Sequence, residues 1–153
     1  MNFEKVSQLF SAHFYANYTA LPYRLNDSTM LVDPTDSYTG KTVDQVNDFI
    51  EVFIFPLDAS RAMLNGASNG RWVRGFIRIN AYDKQVTGDT AVNGVQNDKM
   101  LGVVDGIYSE KTISDASVSI RFEAASGPFR VGINEEYQRY EGYIRIPFRA
   151  VFV

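Results

Sequence analysis

The residue types that most often perform chemistry in proteins are scarce in this chain. It has one histidine, His13, and no cysteine, which removes thiolate metal sites, disulfides and cysteine nucleophiles together. His13 shares an apolar pattern with Phe10 and Phe14, so a structural histidine is favoured over a general base or a metal ligand. A Ser-His-Asp triad would depend on that one side chain. We therefore predict that the protein is not an enzyme and that it holds no metal and no cofactor.

Carboxylates are concentrated in the polar segment of residues 23–48, which is predicted to be a long loop with at most a short strand around residues 30–32. The segment contains Asp27, Asp33, Asp36, Asp44 and Asp48. Its stretch DPTDSYTG loosely resembles a calcium-binding loop, but it lacks the alternating aspartates and the later bidentate glutamate. Solvated, turn-forming residues are the simpler explanation, and calcium is the less favoured alternative.

Arginines alternate with aromatic residues in two segments of the chain. The set comprises Arg71, Trp72, Arg74, Arg78 and Tyr82 in the first segment and Arg139, Tyr143, Arg145 and Arg149 in the second. Protein interfaces are enriched in these residue types, and surfaces that bind single-stranded nucleic acid look similar. The net charge of −3 favours a protein partner. A solvated or helix-covered sheet face, with arginine stems packed along it, is the alternative without a function.

Two segments have the apolar spacing of helices. Phe3, Val6, Phe10 and Phe14 predict an amphipathic helix over residues 3–18. A second helix is predicted from about residue 89 or 90 to residue 108, with a buried stripe of Val92, Met100, Val103, Val104, Ile107 and Tyr108. Gly94, Gly102 and Gly106 each cost this helix roughly 1 kcal/mol. Either a close approach to another element or a frayed helix would explain them.

Four segments are predicted to be strands: residues 49–55, 71–83, 117–123 and 137–153. The first pair forms a hairpin across a Gly- and Asn-rich link, and Pro56 is expected to end its first strand. In the second strand Val73, Ile77 and Ile79 share one face, and Arg74 and Arg78 share the other. Residues 124–136 are predicted to be turns. Pro147 marks an edge position or a bulge.

These elements predict one α+β domain over residues 1–153. It has a mainly antiparallel four-stranded sheet, two helices packed on that sheet, and a long polar loop after the first helix. The start of the chain lacks the features of a signal peptide, and no run reaches the roughly 20 apolar residues that a membrane span needs. We expect no membrane association.

The order of these elements and several segments resemble the tail-terminator (tail-completion) proteins of long-tailed phages, the lambda-type minor tail protein group. The segments are FIEVFIFP, RWVRGFIRINAYD, TAVNGVQNDKMLGVVDGIYSE and the closing YEGYIRIPFRAVFV. The closing strand is the most specific of them. The segments at residues 25–48 and 57–70 are longer than such proteins require, so their contacts are not carried over.

The resemblance implies a virion protein of the tail–neck region that is made in the host bacterial cytoplasm. It would form a ring, usually a hexamer, that caps the tail tube, stops its polymerisation and meets the head connector or stopper protein. DNA would pass through the lumen without sequence-specific binding.

A ring needs two different patches on each subunit. The candidates are the polar segment with Asp33, Asp36, Tyr38 and Lys41, and a basic set of Arg61, Arg71, Trp72, Arg74, Arg78, Arg139, Tyr143, Arg145 and Arg149. We expect the polar segment of one subunit to contact the arginine and aromatic face of the next.

Two other interpretations stay open. The first is a neighbouring role in the same assembly, as a head–tail connector, a stopper or a tail-tube protein. The second is a monomeric module that binds carbohydrate or peptide on Trp72 and the tyrosines. An enzyme is a distant third, because its chemistry would have to come from carboxylates and tyrosine alone.

Overall fold

A computed structural model describes residues 3–26, 28–64, 67–84 and 94–152, and it describes their side chains except in residues 58–71. The helices are α1 (Phe3–Asn17) and α2 (Val95–Tyr108), and a short 3-10 helix covers Val43–Gln45. The strands are β1 (Tyr23–Leu25), β2 (Leu31–Asp33), β3 (Thr39–Lys41), β4 (Phe49–Leu64), β5 (Ala67–Lys84), β6 (Thr112–Ser114), β7 (Val118–Phe122), β8 (Ser126–Asn134) and β9 (Arg139–Phe152).

The nine strands form one sheet in the order β3-β2-β1-β4-β5-β9-β7-β6, and β8 pairs with β9 beside the end of β7. Among the described strand pairs β1 and β4 are parallel, and the others are antiparallel. The predicted four-stranded antiparallel sheet is therefore wrong. The domain is a mostly-sheet α+β fold with a mixed sheet.

Four of the five additional strands come from segments that were predicted to be loops or turns, and β6 lies between the predicted second helix and third strand. Among them β2 overlaps the short strand that the sequence allowed around residues 30–32. The long polar loop after the first helix contains β1, β2 and β3, each of three residues. Three residues are too few to show a strand period. The predicted turn segment of residues 124–136 contains β8, whose Gly127 and Gly132 have left-handed backbone angles. The two glycines and Pro128 are residue types typical of turns, and for this reason the segment was not predicted to be a strand.

Strands β4 and β5 are also longer than predicted, at 16 and 18 residues. Pro56 was expected to end the first strand, but it lies inside β4 opposite Gly75. The pairing register shifts between Pro56 and Asp58, which marks a bulge. A bulge is a position where a strand tolerates the missing N–H of proline.

Both helices pack on one face of the sheet, α1 near β6 and β7 and α2 near β5 and β9. Three of the four residues that predicted the apolar face of α1 are buried, namely Val6, Phe10 and Phe14, whereas Phe3 is 43% exposed. The Phe10 ring lies 5.1 Å from that of Tyr108 in α2 and 6.2 Å from that of Phe122 in β7. Aromatic contacts therefore join the two helices to the sheet.

The start of α2 corrects the expectation for its glycines. Gly94 precedes the helix with a left-handed φ of +92°, a conformation that glycine adopts at little cost. Nothing lies within 4 Å of a side chain placed at Gly102 or Gly106, so neither makes a close approach. Val103, predicted to be buried, is 43% exposed. The segment before residue 94, including Val92, lies outside the described residues.

Candidate interface on the uncovered face of the sheet

One face of the sheet packs under the helices, and we call the opposite one the outer face. In β5 the residues Val73, Ile77 and Ile79 are buried under the helices, as predicted. Their neighbours alternate onto the outer face, which is where strand geometry places them. The outer face carries Glu51, Phe53 and Phe55 of β4, Trp72, Arg74, Phe76, Arg78 and Asn80 of β5, and Tyr143, Arg145, Pro147 and Arg149 of β9.

At one end, the outer face is covered by the chain itself. Leu31, Val46, Phe49 and Tyr82 form a second buried cluster, separate from the core beneath the helices. The Phe49 and Tyr82 rings stack with centroids 4.8 Å apart, and Tyr137 packs edge-on to both of them. We call this region the covered end. The segment that was predicted to be a long polar loop supplies two of these four residues, Leu31 and Val46.

A buried ion pair lies at the covered end. Arg24 Nε donates to Glu51 Oε2 at 2.6 Å, and the two side chains are only 13% and 5% exposed. A second nitrogen of Arg24 donates to the Tyr137 hydroxyl. Burial, with Glu51 and Glu141 nearby, raises the pKa of Tyr82, whose hydroxyl donates to Glu141 Oε1 at 3.0 Å. Arg24, Glu51 and the hydroxyls of Tyr82 and Tyr137 therefore have partners within the described chain.

Arg139 was predicted to belong to the interface, but it ties the covering segment to the sheet. Its Nε donates to the carbonyl oxygen of Asn47 at 3.0 Å, and its Nη2 donates to that of Val46 at 3.0 Å. Nη1 donates to the carbonyl of Tyr137 at 3.0 Å. The guanidinium therefore spans residues more than 90 positions apart in sequence.

The acidic residues proposed for the polar segment are paired within the β2–β3 hairpin. Lys41 Nζ lies 2.7 Å from Asp33 Oδ2 and 3.1 Å from Asp36 Oδ2. Burial would raise the pKa of Asp33, but its hydrogen bonds from Lys41 and Thr35 outweigh burial and lower it. The 38% exposed Tyr38 lies against Tyr15 of α1, with ring centroids 4.8 Å apart.

The other end of the outer face has no covering segment among the described residues, and we call it the open end. Its arginines lie over aromatic rings. Arg145 lies 3.8 Å from the Phe76 centroid, and Arg78 lies 4.0 Å from that of Tyr143. Arg74 and Arg149 share Trp72, at 4.6 and 5.6 Å. Six of these seven residues, all except Phe76, belong to the predicted interface set, and the fold brings them together.

The arginines of the open end also face one another across the strands. Arg78 is directly opposite Arg145, and Arg149 lies between Arg74 and Arg121 of β7. On its other side Arg74 is opposite Asp58 of β4, whose side chain lies outside the described range. Within the described part of the chain, none of these five arginines joins an ion pair with a carboxylate. Like charges at directly opposed positions destabilise a sheet. An anionic partner would remove that cost.

The stacked arrangement determines which anion fits. A guanidinium that lies over a ring has its N–H edges free to donate in its own plane, and these edges match a carboxylate bidentately. The rings of Trp72, Phe76 and Tyr143 already carry a guanidinium on a face. They are therefore poorly placed to stack nucleic-acid bases, which need a free aromatic face.

Several sequence predictions lie outside the interface or outside the described residues. The side chains of Arg61 and Arg71 belong to the undescribed range, as does Asp27. Within the described residues, no group of three or more His, Asp or Glu side chains is placed to hold a metal ion. Arg121 was not among the predicted interface residues, because only the pairing of β7 with β9 brings it beside Arg149.

Two features of catalytic interest have structural explanations. His13 Nδ1 lies 3.1 Å from the Tyr108 hydroxyl, and burial lowers the pKa of His13, as expected of a structural histidine. The sequence GASNG at residues 66–70 has the Gly-x-Ser-x-Gly spacing of a nucleophile elbow. However, its residues from Ala67 onward lie in β5, whereas an elbow requires a strand-to-helix turn.

No protein-family model matches this chain, and no curated protein matches it. A solved structure is similar to it with a TM-score of 0.57 over 95% of this chain and 94% of the other. The two sequences are 12% identical, so the likeness shows a shared fold and nothing about activity. Among the described residues no helix is long and apolar enough to cross a membrane.

Proposed function

We propose that the protein is a structural subunit that assembles through its outer face into a ring of identical copies. The observation that carries the proposal is the open end, where arginines oppose one another without a carboxylate partner in the described chain. Protein interfaces are enriched in arginine and aromatic side chains, and here a sheet presents both. A contact between this basic face and an acidic patch elsewhere on the subunit is heterologous, and heterologous contacts generate rings when the rotation closes.

The specific assembly we propose is the tail terminator of a tailed phage. Its support is the sequence resemblance, above all the closing segment YEGYIRIPFRAVFV, whose residues 140–152 lie in β9 and include Tyr143, Arg145 and Arg149 of the open end. In this role the ring, which we propose to be a hexamer, caps the tail tube and stops its polymerisation. It then joins the tail to the head connector or stopper protein in the virion.

DNA passes through the lumen of such a ring without sequence-specific contacts. The net charge of −3 supports this part of the proposal, because a protein that binds DNA tightly needs clustered positive charge that displaces counterions. The arginines of the open end belong instead to contacts between subunits in this proposal.

The ligand-binding alternative is less favoured by the geometry at Trp72. A carbohydrate platform needs an accessible indole face, but Arg74 and Arg149 both lie over this ring, at 4.6 and 5.6 Å. A head–tail connector or a tail-tube protein remains the nearest alternative, because it would use the same kind of subunit contact.

Negative-stain electron microscopy of the purified protein tests the proposal. We expect closed rings for the wild type and dispersed subunits for a variant carrying Arg145→Glu and Arg149→Glu. Lys111→Glu, which reverses an exposed charge in the connection between α2 and β6, is the matched control and should keep the rings. Long tubes would identify a tube protein instead. Dispersed wild-type subunits at every concentration would contradict the ring.

A further inference from the structure

We infer that the open end of each subunit binds the turn between β8 and β9 of a second copy, through Glu135 and Glu136. This inference rests on the proposed function, and it names the second half of the subunit contact. Both glutamates are exposed, and neither joins an ion pair within the described chain. They are adjacent, so two carboxylates can meet two guanidinium groups at once.

Several other carboxylates near the surface already have partners. Asp33 and Asp36 pair with Lys41, and Asp98 pairs with Arg130 at 2.8 Å. Asp115 accepts the backbone N–H groups of residues 117 and 118. Glu135 and Glu136 differ from the other unpaired carboxylates because they are adjacent in sequence, so the β8–β9 turn presents two carboxylates together.

The turn is held in shape by its own hydrogen bonds. Asn134 Oδ1 accepts the N–H of Tyr137 at 3.0 Å, and Gln138 Nε2 donates to the carbonyl of Glu135 at 2.6 Å. Arg139 donates to the carbonyl of Tyr137 from the other side. A segment that is ordered before binding loses less conformational entropy on binding, so its contacts contribute more to affinity.

The turn and the open end of one subunit are too far apart to meet. Arg149 follows Arg139 by ten residues of the same strand, which is about 33 Å at roughly 3.3 Å per residue. Strand β9 therefore has an acidic turn at its start and opposed arginines toward its finish. Complementary patches at the two ends of one subunit favour a head-to-tail contact with another copy.

Apolar surface accompanies the charges on both sides of the inferred contact. Next to the turn, β8 exposes Val131 and Ile133, at 54% and 51%. Next to the arginines, β4 exposes Phe55 and Leu57, at 39% and 63%. Burial of these side chains against each other would supply the apolar part that protein interfaces combine with charged contacts.

A charge-reversal experiment tests the pairing with the full chain. One variant carries Arg145→Glu with Arg149→Glu, and the other carries Glu135→Arg with Glu136→Arg. We expect each variant alone to fall to the subunit mass of 17.3 kDa by light scattering. An equimolar mixture should recover the wild-type mass, because each reversed turn then meets an oppositely reversed face. The mixture also shows that both variants are folded.

The failures of the two proposals are distinguishable. A wild type that never exceeds the subunit mass contradicts the proposed ring itself. If the wild type assembles and the Glu135→Arg, Glu136→Arg variant has the same mass, the proposed ring is retained. The inference that the β8–β9 turn binds the open end is then wrong. Binding of labelled single-stranded DNA is measured for the wild type and both variants. If the wild type binds and only the arginine variant binds at least about 10-fold more weakly, nucleic acid occupies the open end and the inference is wrong.

Discussion

The two ends of the outer face are built from the same residue types and differ in what surrounds them. At the covered end Arg24 and Arg139 bind a carboxylate, a tyrosine hydroxyl and backbone carbonyls of the same chain. At the open end Arg74, Arg145 and Arg149 have aromatic rings beneath them and other arginines opposite them. Residue type alone therefore does not separate an arginine that stabilises the fold from one that binds a partner.

The difference assigns a role to each end. Charges paired inside the chain favour the folded state, and removal of one partner leaves the other buried and unpaired. Like charges at directly opposed strand positions repel one another, and a bound anion lowers the free energy of that arrangement. The covered end should therefore be sensitive in measurements of stability, and the open end in measurements of assembly.

The largest expected effect separates two phenylalanines. Phe49 is fully buried at the covered end, so Phe49→Ala should lower the free energy of unfolding by about 3–5 kcal/mol. Phe76 is half-buried at the open end, and Phe76→Ala should cost about 1–2 kcal/mol. Urea denaturation of both variants measures the difference. Equal losses would contradict the distinction between the two ends.

The next effect compares two arginines. Arg24→Met leaves Glu51 buried without its cation and should lower the free energy of unfolding by about 3 kcal/mol. Arg145→Met is the matched control, since this exposed side chain has no carboxylate partner within the described residues. It should change the stability of the isolated subunit by less than about 1 kcal/mol. A control as destabilised as Arg24→Met would refute the comparison.

The smallest effect has the opposite sign. Arg149 is opposed by Arg74 on one side and Arg121 on the other, so Arg149→Gln should stabilise the isolated subunit by about 0.5 kcal/mol at low salt. The gain should fade as salt rises, because salt screens exposed like charges. Urea denaturation of dilute protein at several salt concentrations measures it, with Lys111→Gln as the control. A loss of stability at low salt would show that the opposed arginines are not a cost.

Much of the local structure could be predicted from the sequence, because it depends on periodicity. The helical spacing of Val6, Phe10 and Phe14 identified α1 and its buried face. Alternation in β5 identified which of its residues face the helices. The strand count could not be found in this way, because β1, β2 and β3 are short and gain their stability from neighbours in the sheet.

Most residues of the candidate interface were predicted correctly, but its boundaries were not. Alternation placed Arg74, Arg78 and Arg145 on one face correctly. Alternation also included Arg139, whose actual partners are carbonyl groups 92 and 93 residues earlier in the chain. Arg121 was omitted for the same reason, since the register between two strands decides which residues are neighbours. Contacts between distant segments are not encoded in any local pattern.

The mass of the wild-type protein in solution, measured by light scattering across protein and salt concentrations, tests the central claim most directly. We predict a multiple of the 17.3 kDa subunit mass at low salt, and a fall toward one subunit as salt screens the contacts between arginines and carboxylates. A mass of one subunit at every protein and salt concentration would contradict the claim that the open end joins copies of this chain.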